Sequence, residues 1–110
     1  MKKWSIEYIE EAKKDLDELN HIQRLQVIKA IDKVSQNPLP DYLGGYGKPL
    51  GNQGDRKLAG YQKIKLKKTG LRVVYGTYME REIMKIIVIS IRDDEKVYHI
   101  AQKRIDKHNL

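Results

Sequence analysis

The chain has no cysteine, no phenylalanine and a single tryptophan in 110 residues. Without cysteine it can hold no disulfide framework, no thiolate metal site and no thiol nucleophile. A cysteine-free chain suits a reducing compartment. No run approaches the roughly 18 apolar residues of a membrane span. The opening MKKWSIEYIEE carries basic residues but no apolar stretch of the kind a secretory leader needs. The expected location is therefore the cytoplasm. Histidine is scarce too, with only His21, His99 and His108. There is no Walker-type phosphate loop, no metal-ligand spacing and no Ser/His/Asp arrangement, and Gly44, Gly45, Gly47, Gly51 and Gly54 follow no phosphate-binding spacing. Neither a metal nor a small-molecule cofactor is expected.

What the chain has is charge. Hydrophobic residues make up 40% and charged residues 34%, with a net charge of +7. The length suits one domain spanning residues 1–110, burying roughly two-thirds of its unfolded surface. Residues 1–47 carry seven basic and eight acidic side chains, whereas residues 48–110 carry fifteen and seven. The basicity belongs to one part of the chain, which points to a polyanionic partner, most often nucleic acid.

Local patterns suggest an order of elements. Trp4, Ile6 and Tyr8 alternate with polar residues, as in a short strand. From Ile9 the period changes, and Ile9, Ala12, Leu16 and Leu19 share one helical face. Asn20 is placed to cap a second helix, in which Ile22, Leu25, Ile28, Ile31 and Val34 recur at three-residue spacing. SQNPLP ends it, because proline cannot continue the helical hydrogen bonds. Residues 41–60 are rich in glycine and read as a long loop holding a short strand. YQKIKL and LRVVYGTY alternate on either side of KKTG, which predicts a hairpin with Gly70 at positive φ. IMKIIVISI is apolar enough for a central strand buried on both faces. Asp93 and Asp94 start a last helix with Val97, Ile100, Ala101 and Ile105 as its apolar stripe. The predicted class is α+β: a helical hairpin on one face of a small twisted antiparallel sheet of about four strands, with a C-terminal helix. The other face of the sheet is then partly open. Lys63 and Lys65 project there, while Ile64 and Leu66 point into the core.

Lys63, Lys65 and Arg72 are the residues that ask for a function. For the two lysines alone, a solvated strand face guarded against aggregation is the simpler account. Arg72 sits among apolar residues and requires a purpose or a buried partner. Clustered cations suit phosphodiester cleavage in RNA. Attack by the adjacent 2′-hydroxyl builds negative charge on the phosphate oxygens, and prepositioned cations stabilise it. A base must take the 2′-hydroxyl proton. Lysine serves if crowding by like charges pulls its pKa down.

The same residues, YQKIKLKKTGLRVVY followed by IIVISIRDDEKVYHIAQKRI, resemble the RelE branch of the RelE/ParE bacterial toxins. WSIEYIEEAKKDL near the start and GKPLG…LAGY in the loop fit the same family, so the resemblance covers nearly the whole chain in order. It implies the toxin of a type II toxin–antitoxin system, a metal-independent endoribonuclease cutting mRNA in the ribosomal A site. By local match the catalytic set is Lys63, Lys65, Arg72, Arg92 and Tyr98. Lys65 would help activate the 2′-hydroxyl with Tyr98 against the RNA, Lys63 and Arg72 would stabilise phosphate charge, and Arg92 would serve the leaving oxygen. Lys48, Arg56, Lys57, Lys67 and Lys68 are further expected RNA contacts. The implied partners are a cognate antitoxin protein, mRNA and ribosomal RNA. In one place the sequence departs: related chains carry a basic run after the central strand, where this one has IRDDEK. Two other functions fit the fold, a ParE-like inhibitor of DNA gyrase without nuclease activity and a non-catalytic RNA- or protein-binding module.

Overall fold

The computed structural model describes residues 3–53 and 56–110. Strand β1 (Ser5–Tyr8) leads into helices α1 (Glu10–Glu18) and α2 (His21–Val34), then a short 3-10 turn (Asp41–Leu43). Three two-residue strands follow, β2 (Lys48–Pro49), β3 (Asn52–Gln53) and β4 (Arg56–Lys57). The long strands β5 (Tyr61–Leu66), β6 (Leu71–Tyr78) and β7 (Ile83–Ser90) precede helix α3 (Asp94–His108). Five strands form one sheet in the order β1-β7-β6-β5-β2, and β3 pairs with β4 separately. The α+β class holds, with one strand more than expected. The sheet is also mixed, because β1 runs parallel to β7. Parallel neighbours need a long crossover, and everything from α1 to β6 supplies it.

Local chemistry accounts for the helical hairpin. Asn20 and Gln23 form a reciprocal capping box at the start of α2. The Arg24 side chain of α2 donates to the carbonyls of Leu16, Asp17 and Leu19, at the end of α1 where intrahelical partners run out. Only part of the α2 stripe reaches the core. Val27, Ile31 and Val34 are buried, while Ile22, Leu25 and Ile28 are exposed. A three-residue step falls about 60° short of a full turn, so a stripe at that spacing winds around the helix and only one end can meet the sheet.

β7 is an interior strand of the sheet, between β1 and β6, and is covered on both faces. Met84, Ile86 and Ile89 join Leu71, Val73 and Tyr75 against Ala12, Val27, Ile31 and Val34 of α1 and α2. On the other face Val74, Ile87 and Val88 meet Val97, Ala101 and Ile105 of α3. The register shifts where Val74 faces Val88 and Tyr75 faces Ile86. Ile87 is the extra residue of this bulge, which puts Ile87 and Val88 both toward α3. The second face is therefore less open than predicted, because α3 crosses its middle.

The C-terminal part of α3 is tied to α1. Asp15 accepts from both terminal nitrogens of Arg104, at 2.6 and 3.2 Å, and from the backbone N–H of Ile89 at 3.0 Å. Arg104 also donates to the Ile87 carbonyl at 2.9 Å. One turn further, Lys107 and His108 meet Glu11. The Lys107 hydrogen bond, with His108 beside it, pulls the Glu11 carboxyl down to about 2. His108 is the last residue of α3. Two glycines of the loop have packing roles. A Cβ on Gly45 would lie 2.0 Å from the Leu39 carbonyl oxygen, and one on Gly47 would lie 2.3 Å from the Tyr75 hydroxyl. That hydroxyl is fully buried and donates to the Pro38 carbonyl at 2.8 Å. Among the described residues no helix is long and apolar enough to cross a membrane.

Candidate functional site

Strand register builds the cationic site. Lys63 and Lys65 lie two apart on β5 and share a face, while Ile64 and Leu66 pack against the α1–α2 core on the opposite face, as the alternation predicted. β5 pairs with β6 so that Lys65 faces Arg72 and Lys63 faces Val74. On its other edge β5 pairs with β2, and Lys63 faces Lys48. Two rungs of the sheet therefore hold cation against cation, Lys48 with Lys63 and Lys65 with Arg72. Like charges set directly opposite one another are destabilising in a sheet. All four residues are on the face that α3 crosses, because Val74, their neighbour on that face, packs on α3.

The first turns of α3 supply the counterparts. Asp93 caps the helix, its side chain accepting from the Lys96 N–H. Asp94, one residue on, turns to the sheet. Its Oδ1 accepts from Arg72 Nε at 2.5 Å and its Oδ2 from Lys63 Nζ at 3.5 Å. Lys63 Nζ also donates to the Tyr98 hydroxyl at 2.9 Å and lies 5.6 Å from the centroid of its ring. Asp94 and Tyr98 are four residues apart, on one face of α3. Arg72 is held further by the carbonyls of Gly70 and Arg92, which accept from Nη1 at 3.0 and 2.6 Å.

These contacts set the charge states. The hydrogen bond to Tyr98 holds the Lys63 ammonium above the ordinary lysine range, outweighing partial burial, and Asp94 adds to the effect. The expectation that crowding lowers the pKa of this lysine is therefore corrected, because the nearest groups are an anion and a hydroxyl acceptor rather than bare cations. Partial burial opposes ionisation of Asp94, yet Arg72 and Lys63 hold its carboxyl below the usual range. Lys63 is a fixed positive charge, with no proton to accept.

The structure thus brings Lys63, Arg72 and Tyr98 into direct or shared contact and sets Lys65 and Lys48 beside them in register. Lys65 is exposed, and its ammonium has no partner among the described residues. Arg92 joins through its carbonyl. Its guanidinium makes no bond to the other four residues of the predicted catalytic set, and its side chain lines a cleft of about 390 Å³ with Glu95, Lys96, His99 and Ile100. Lys67 and Lys68 are exposed in the turn between β5 and β6. Lys57 is exposed on β4, where its backbone N–H donates to Gln102 of α3, one turn beyond Tyr98. The Arg56 side chain lies outside the described residues. His21 is exposed at the start of α2 and His99 on α3. Among the described residues no cluster of three or more His, Asp or Glu is placed to hold a metal ion. Sequence reasoning assigned Asp93 and Asp94 together to the helix start and missed that only the first caps. The available signal was the four-residue spacing from Asp94 to Tyr98.

No protein-family model matches the sequence. A candidate RelE-like toxin protein of Escherichia coli is 26% identical over 107 residues, covering 94% of this chain and 98% of its own. The free form of a doubly substituted Escherichia coli RelE toxin superposes with a TM-score of 0.73 at 26% identity, over 94% of this chain and 99% of that one. The RelBE2 toxin–antitoxin complex of Mycobacterium tuberculosis shares the fold, with a TM-score of 0.67 at 23% identity over 86% and 97% of the two chains. In sequence and in fold, the chain is similar to RelE-like toxins nearly from end to end.

Proposed function

We propose that this chain is the toxin of a type II toxin–antitoxin system and that it cleaves mRNA in the ribosomal A site. The observation that carries the reading is the pair of like-charged rungs, Lys48 opposite Lys63 and Lys65 opposite Arg72, beside Tyr98. A fold gains nothing in stability from such pairing, whereas a phosphodiester entering between the cations would meet donors already in place. Lys63 and Arg72 are permanently charged and buttressed, which suits them to the extra negative charge of the transition state. Lys65 is the lysine left without a protein partner among the described residues, and the reading assigns its neutral amine form to taking the 2′-hydroxyl proton, which leaves it as the ammonium. Tyr98 positions the RNA, with its oxygen fixed by Lys63. Arg92 serves the leaving 5′ oxygen. Lys48, Lys57, Lys67 and Lys68 extend the positive surface along the backbone of the RNA.

A partner protein follows from the same surface. Related RelE toxins have been crystallised with their antitoxins. For this chain, a cognate antitoxin with an acidic segment would be drawn to the basic face by charge, which speeds encounter. The cytoplasm, where translating ribosomes are, is the proposed location.

Primer extension on cellular mRNA after induction of the chain tests the reading. The expected result is discrete new 5′ ends within translated messages, absent with Lys65→Ala. Intact messages accompanied by DNA damage would overturn it in favour of a gyrase inhibitor. Intact messages without such damage would favour a binding module.

A further inference from the structure

Asp94 occupies the place that the proposed reading reserves for a phosphate. Its two oxygens divide between two cations, Oδ1 on Arg72 at 2.5 Å and Oδ2 on Lys63 at 3.5 Å. The two non-bridging oxygens of a phosphodiester would make the same division, since guanidinium and ammonium donors take carboxylate and phosphate oxygens alike. Both anions cannot use the same donors at once. The carboxylate is also dispensable to the helix it stands on, because the cap is provided by Asp93. Its side chain is 38% exposed, against 15% for Arg72 and 21% for Lys63, so the anion lies on the open side of the cluster and the cations behind it.

We propose that Asp94 is a displaceable internal counter-ion, which holds Arg72 and Lys63 in phosphate-binding geometry in the free protein and must swing out before RNA can enter. This rests on the reading of the cluster as a phosphate site. Two consequences follow. Lys63 and Arg72 stay ordered without RNA, so the site does not have to assemble when RNA arrives. Affinity for RNA is lowered, because each binding event breaks two ion pairs inside the protein. The acidic run DDE then acts through one carboxylate within the site rather than through general repulsion. Arg72 Nη2 has no partner among the described residues and remains available to the phosphate once Asp94 leaves.

The test compares Asp94→Asn with Glu95→Gln, which changes net charge equally on the neighbouring residue. The probe is a short single-stranded RNA with 2′-O-methyl groups, which cannot be cleaved, followed by fluorescence anisotropy. Asp94→Asn is expected to bind about tenfold tighter with a steeper salt dependence, and Glu95→Gln by less than about twofold. Equal effects of the two variants, or weaker binding by Asp94→Asn, would overturn the proposal. Should Asp94→Asn fail to fold, the wild-type protein decides. The Arg72 Nε–H resonance is expected to shift on titration with the same RNA, and a resonance that stays in place while RNA binds overturns the proposal. The outcome is separable from that of the nuclease reading. Tighter RNA binding by Asp94→Asn with no cleavage by any variant would support the counter-ion and sink the nuclease. Cleavage lost in Lys65→Ala with no binding change in Asp94→Asn would do the reverse.

Discussion

Lys65→Ala lowers mRNA cleavage by about two to four orders of magnitude, the range expected when a positioned acid–base group is removed. Its thermal midpoint stays at the wild-type value, because the side chain is exposed and makes no ion pair with the described residues. The companion variants separate proton transfer from charge. Arginine keeps the positive charge but does not give up its proton. Lys65→Arg should therefore be about as inactive as Lys65→Ala if Lys65 takes the 2′-hydroxyl proton. Lys63→Arg should keep much of the wild-type rate, because Lys63 is already a fixed charge held above the ordinary lysine range by Tyr98. Ribosomes programmed with a defined message and assayed over time would measure all three. Full activity in Lys65→Arg, together with loss in Lys63→Arg, would exchange the two roles.

The second large effect is on stability. Asp15→Ala is expected to cost about 3 kcal/mol, because it removes one partner of a mostly buried ion pair and strands the other. Arg104 loses both of its bonds to the carboxylate, and the Ile89 N–H loses its acceptor. The side chains of Asp15 and Arg104 are only 16% and 19% exposed, so water does little to compensate. For a domain of this length the thermal midpoint should fall by roughly 10 °C or more. Replacing both residues, Asp15→Ala with Arg104→Leu, should recover part of the loss, since no unpaired charge remains. Thermal melting of the two variants checks this, and a shift near zero in the single variant would contradict it. The effect reaches the site through α3. Arg104 pins the helix to β7, and the same helix carries Asp94 and Tyr98 to Lys63 and Arg72.

What could be read from the sequence was local. Alternation on β5 separated Lys63 and Lys65 from Ile64 and Leu66, and the structure keeps them on opposite faces. KKTG gave the turn, and Gly70 takes a φ of 75° there. The apolar run from Ile83 gave a central strand. Asn20 gave the helix cap. The unread part depends on pairing between distant segments. Nothing near Lys48 announces that it faces Lys63, because β2 is two residues long and lies in a glycine-rich stretch without a period. The apolar stripe of α3 was visible, but a stripe says which face is buried and not which surface covers it. Placing α3 on the second face of the sheet turned an open cationic surface into a site with a hydroxyl and a carboxylate in it. Asp94 was obscured for a further reason. Three acids at a helix start already have an explanation in the helix dipole, which masks the four-residue spacing from Asp94 to Tyr98 that singles out one of them.

The account stands on one phosphate lying among Lys63, Lys65 and Arg72. A crystal structure of the chain with a 2′-O-methyl RNA, alone or on the ribosome, measures that directly. The account predicts a phosphate within hydrogen-bonding distance of Arg72 and Lys63, with the modified 2′ position facing Lys65 and Asp94 turned away. RNA bound elsewhere on the surface, with Asp94 still on Arg72, would contradict it.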